Sequence, residues 1–117
     1  MTEGDLRLRT KQFALRVVRL FGRLPKSREA QVIGKQLLRS GTSVAANYRE
    51  SCRARSTAEM ISKLGLVEQE LDESMLWLEL LGESEIVQPE LLSDILDETE
   101  QLLKMTVSSI KTLKANR

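Results

Sequence analysis

Apolar residues recur every three or four positions along almost the whole chain, and the recurrence breaks at only three places. That interval belongs to the α-helix, in which 3.6 residues complete a turn and positions three or four apart stack on one face. Such a chain has four amphipathic helices to pack and little material for a sheet. Its composition agrees: two prolines, 3% aromatic residues and 41% hydrophobic residues fit a helical, leucine-rich domain.

The first helix is read over about Asp5 to Arg23, with Leu6, Phe13, Val17, Leu20 and Leu24 setting the spacing. Pro25 cannot continue it, because a proline ring clashes with the preceding turn, and the Ser27 hydroxyl can cap the next helix. That second helix is read over about Arg28 to Arg53, with Ile33, Leu37, Val44, Ala45, Tyr48 and Cys52 on one side. Gly41 weakens it by about 1 kcal/mol relative to alanine, so it kinks there or uses the glycine for close packing. Continuity is the reading adopted. Ser56-Thr57-Ala58-Glu59 has the form of a capping box, which starts a third helix over about Thr57 to Leu81. Met60, Leu64, Val67, Leu71, Leu78 and Leu81 carry its apolar face, Ser74 interrupts it and Gly82 marks its end. Pro89 suits a first helical turn, where a missing N–H costs nothing, and the fourth helix is read over about Pro89 to Leu113. With short connections throughout, the expected architecture is an all-α, antiparallel up-down-up-down four-helix bundle forming a single domain over residues 1–117.

The absence of histidine narrows the chemistry. Ser-His-Asp and Cys-His catalysis, His-containing metal sites and the Glu-x-x-His ligands of di-iron bundles all need a residue this chain lacks. The six glycines are scattered and form no phosphate loop. Cys52, the single cysteine, reads as a small packing residue. Catalytic residues, metals, cofactors and a small-molecule substrate are therefore not expected. The N-terminus shows no apolar leader and no run is long enough to span a bilayer, from which a cytoplasmic location is expected.

Charge is divided unevenly. Up to Arg55 there are thirteen basic and four acidic residues, a net +9; from Ser56 there are five basic and thirteen acidic, a net −8. Halves of opposite sign suggest a basic surface for nucleic acid, an acidic one for a basic partner, or pairing of the halves within or between chains. On the first helix Arg9, Arg16, Arg19 and Arg23 form a basic stripe about 100° round from the apolar seam, able to follow a phosphate backbone without reading sequence. Its alternative is pairing with the acidic third and fourth helices of the same or a neighbouring subunit. On the second helix Gln36, Arg39, Ser43, Asn47 and Glu50 fall within about 80° of one another beside the apolar face, where a polar network or a solvated face could lie. On the third, Lys63, Glu70, Glu73 and Trp77 share a face; the two carboxylates read as arginine partners and the indole as a packing anchor.

At these residues the chain resembles a bacterial family of four-helix-bundle proteins that includes those encoded by intervening sequences of large-subunit ribosomal RNA genes. The resemblance is centred on Gln36 to Glu50, like the family's Gln-x-x-Arg…Ser-Val/Ile-x-x-Asn-x-x-Glu run. Leu24-Pro25-Lys26 precedes it, and Glu70, Glu73 and Trp77-Leu78 match the family's later Glu-x-x-Glu-x-x-x-Trp-Leu pattern. Where many members have Pro and Gly, this chain has Ala45 and Ser51. The resemblance implies a homopentamer with no established enzymatic activity. A related accessory protein of diversity-generating retroelements looks like a basic pentameric barrel that binds reverse transcriptase and RNA; its functional residues do not match this chain position by position, and none is carried over. The resemblance assigns Gln36, Arg39, Ser43, Asn47, Glu50, Glu70, Glu73 and Trp77 to fold and assembly. The expectation is a homo-oligomeric scaffold with RNA or a ribonucleoprotein as candidate partner of the arginine stripe; the alternative is a protein–protein module whose basic and acidic faces meet between subunits.

Overall fold

The computed structural model describes residues 3–116. The ends that bear on a leader, Met1 and Thr2, and the charges of Glu3 and Arg117 lie outside the described residues and side chains. Four helices follow in order: α1 (Glu3–Arg23), α2 (Arg28–Cys52), α3 (Thr57–Glu83) and α4 (Ser93–Ala115), with a single 3-10 turn at Pro89–Leu91 before the last. The described residues form no strand.

Contacts between the helices fix their directions. A Cβ on Gly41 would meet Val17, and one on Gly34 would meet Leu24 and Phe21, so α2 descends as α1 rises. Ser40 pairs with Ser74 and Glu50 with Lys63, which sets α3 antiparallel to α2. Arg9 reaches Glu98, and the Gly82 end of α3 meets Leu92 just before α4, completing an up-down-up-down bundle of 48 × 21 × 19 Å.

Phe13, Val17, Leu37, Val44, Leu71, Leu78 and Leu102 are wholly buried on the central axis. Each such side chain contributes about 1.5–3 kcal/mol through the apolar surface it withdraws from water. The core also holds hydroxyls. Thr10, Thr99 and Thr106 donate to carbonyls one turn back at 2.7, 2.6 and 2.7 Å, so none is buried without a partner. Ser74, which interrupts the apolar spacing of α3, meets the Ser40 hydroxyl at 2.9 Å inside the bundle.

Helix α2 runs unbroken through Gly41, which serves close packing: an added Cβ would stand 2.8 Å from a Val17 methyl. Ser27 and Ser56 cap α2 and α3 by accepting from Ala30 and Glu59 N–H at 3.3 and 3.1 Å. Three details depart from the sequence reading. The Glu59 carboxylate accepts from Arg55 N–H at 3.4 Å, one residue before the cap, so the reciprocal arm of the capping box is displaced. Helix α3 passes through Gly82, which is buried near Leu92, and the left-handed residue that turns the chain is Glu85, at φ 63°. Pro89 opens a separate 3-10 turn rather than α4 itself, because the chain must first pass over the end of α3.

Candidate functional site

The polar residues of α2 and α3 form a ridge where the two helices meet. One Arg39 guanidinium joins Glu70 at 2.9 Å and Glu73 at 2.5 Å. Glu70 is buried while Arg39 keeps half its side chain in water, so the arginine supplies the charge that lets the carboxylate sit low between the helices. About three turns along α2, Lys63 donates to Glu50 at 2.9 Å, and this hydrogen bond, with the attraction of the carboxylate, holds the ammonium pKa above its ordinary value. Asn47 turns inward on its own helix, its amide donating to the Ser43 carbonyl at 3.0 Å. Gln36 is exposed, and Trp77 is half-buried against the core with its indole N–H enclosed and unbonded.

Apolar side chains flank this ridge on the solvent side. Val32 is 60% exposed on α2, and Leu66, Leu76 and Leu80 are 39%, 46% and 38% exposed on α3. Helical spacing puts Val32 on the same face as Gln36, Arg39, Ser43 and Glu50, and Leu66 and Leu80 beside Glu73. This mixture of fixed charge and uncovered aliphatic surface was not recognised in the sequence, where exposed leucines look like core leucines until the helix directions are known.

The arginine stripe of α1 divides. Arg9 gives both faces of its fork to Glu98 of α4, through Nη2 and, at 3.0 Å, through Nε, and also reaches Gln101 at 3.2 Å. The hydrogen bond to Glu98 raises its pKa against the opposing effect of burial. Arg9 is thus a bridge inside the bundle and not an open phosphate contact. No local pattern announces Glu98 as its partner, since 89 residues separate the two. Arg16, Arg19 and Arg23 make no ion pair among the described residues. They line one side of a cleft of about 530 Å³ between the end of α1 and the α3–α4 connection.

No described group of three or more His, Cys, Asp or Glu side chains could hold a metal ion. Glu70 and Glu73 share one guanidinium, so neither stands as a free general base. A second cavity, of about 420 Å³, lies at the opposite end of the bundle among Leu6, Tyr48, Cys52, Met60 and Met105. No described helix is long and apolar enough to cross a membrane.

A family model described as 23S rRNA-intervening sequence protein matches residues 5–108. The chain belongs to that family. A solved structure of similar fold, a protein of unknown function from the S23 ribosomal protein family of Bacteroides thetaiotaomicron, is 36% identical to it. The two superpose with a TM-score of 0.89 over 95% of this chain and 99% of that one. No curated protein matches the chain. Membership in the 23S rRNA-intervening sequence protein family agrees with the motif likeness at Gln36–Glu50 and at Glu70, Glu73 and Trp77.

Proposed function

We propose that the chain is a non-catalytic helical scaffold that assembles with copies of itself through the α2–α3 ridge. The observation that carries this is the row of Val32, Leu66, Leu76 and Leu80, left in water beside a framework of ion pairs already set by the fold. Exposed aliphatic surface flanking fixed polar groups is the composition of an interface, whose centre excludes water while charged groups set register. A residue such as Arg39, held in place by two carboxylates before any partner arrives, loses little further freedom on docking. The family resemblance supplies five as the number of copies.

Mass measurement in solution tests the reading. The wild-type chain is expected as a defined oligomer, and Leu66→Lys with Leu76→Lys as a monomer of unchanged helicity, since both side chains are exposed in the single chain. A wild-type chain that remains monomeric at micromolar concentrations ends the proposal.

RNA is the competing proposal for the α1 surface. Three unpaired guanidiniums suit a phosphate backbone, whereas the loss of Arg9 to Glu98 shortens the stripe from which that partner was inferred.

A further inference from the structure

Arg16, Arg19 and Arg23 do not stand on an open helix face. Spacings of three and four residues place their Cα atoms along about 10 Å of one side of α1. The cleft they line has an aliphatic wall of Leu20, Ile86, Val87 and Leu91 over a floor formed by the buried core residues Leu24, Leu92 and Ile95. Leu91, the last residue of the 3-10 turn, keeps 71% of its surface in water at the lip. None of the lining residues is acidic, and none is aromatic.

Each part of this arrangement selects for a ligand property. Unpaired guanidiniums in a row call for several carboxylates or phosphates spaced by roughly a helical turn. The aliphatic wall calls for aliphatic side chains, because a polyanion backbone laid against it would lose water without gaining a partner. Bases splayed from a single strand stack on aromatic rings, and the lining residues include none. We propose that this cleft receives an acidic amphipathic helix from another protein. Its leucine-like side chains would lie on the Leu20–Leu91 wall and its carboxylates on Arg16, Arg19 and Arg23. This is the helix-in-groove mode of recognition, with charge complementarity fixing direction and register. The cleft takes no residue from α2 or α3, so the site and the self-assembly ridge stand or fall separately.

Fluorescence anisotropy tests it with a labelled peptide of about four helical turns, leucines on one face and glutamates flanking them. Its comparators are the same peptide with glutamine for glutamate and a single-stranded RNA. The glutamate peptide is expected to bind at least about tenfold tighter than the glutamine peptide. Arg19→Gln with Arg23→Gln, and separately Leu91→Ser, should each weaken it by about tenfold. All three positions are exposed, so circular dichroism should show the fold unchanged. Equal affinity for the two peptides overturns the proposal, as does indifference to Leu91→Ser. RNA binding that needs the arginines but not Leu91 assigns the surface to nucleic acid instead. A loss of oligomer mass in the arginine variant assigns it to a second copy of this chain.

Discussion

A single methyl group separates two glycines that look alike in sequence. Gly41 and Gly65 each sit inside a long helix, where glycine costs about 1 kcal/mol relative to alanine. A Cβ at Gly65 would have nothing within 4 Å, whereas one at Gly41 would stand 2.8 and 2.9 Å from the two Val17 methyls. Val17 is wholly buried and β-branched, so it cannot swing away. Gly65→Ala should therefore stabilise the protein by about 1 kcal/mol, and Gly41→Ala should destabilise it by about 1–3 kcal/mol despite the gain in helix propensity. Urea unfolding of the two variants checks both signs, and a stabilised Gly41→Ala would show that α1 and α2 can move apart freely. The Ser40–Ser74 hydroxyl pair makes the same point about polarity: each serine reads as a flaw in its own helix, and together they satisfy one another in the core.

Helix ends carry the element-scale information. Ser27 and Ser56 could be assigned as caps from sequence because an N-cap depends on the hydroxyl and the few backbone N–H groups beside it. The end of α3 could not. Gly82 satisfies the usual rule for a C-terminal glycine, yet it is buried in the last turn near Leu92 and the chain reverses at Glu85, whose N–H donates to the Gly82 carbonyl at 3.1 Å. A left-handed backbone costs a β-carbon-bearing residue roughly 1–2 kcal/mol. Replacing Glu85 with glycine should accordingly raise stability by about 1 kcal/mol, read as a higher midpoint in thermal or urea unfolding. An unchanged or lowered midpoint would mean that the Glu85 side chain contributes more than its strained backbone costs.

For the whole molecule, the division of charge between its halves becomes a way of joining helices. Basic α2 and acidic α3 meet at Arg39, Glu70 and Glu73, and basic α1 meets acidic α4 at Arg9 and Glu98. With under a third of either side chain exposed, the Arg9–Glu98 pair is screened less than a surface pair. Arg9→Gln leaves a half-buried carboxylate without its fork and should lower stability by about 1–3 kcal/mol. Glu98→Gln should do the same, and the double variant should lose less than the two losses added, as expected of partners in direct contact. Strict additivity in that cycle would show that α1 and α4 are held by packing alone. Of the α1 arginine stripe, Arg16, Arg19 and Arg23 stay outside these bridges and line one cleft together, which is why that part of the basic half is the place to look for a partner.

The helical period, the breaks at Pro25, Ser56 and Pro89, and the serine caps are local properties, set by backbone geometry within one or two turns, and the four-helix architecture was legible from them. The Gln36-to-Glu50 motif and the Glu70, Glu73 and Trp77 pattern were legible as a family likeness for the same reason: they are ordered along one chain. Only the tertiary structure decided that Arg9 is consumed by Glu98, that Arg39 bridges two carboxylates, that Val32, Leu66, Leu76 and Leu80 face water, and that three arginines stand beside an aliphatic cleft. Those outcomes depend on which faces of two distant helices meet and in which direction they run. The spacing within a single helix carries no information about its neighbour.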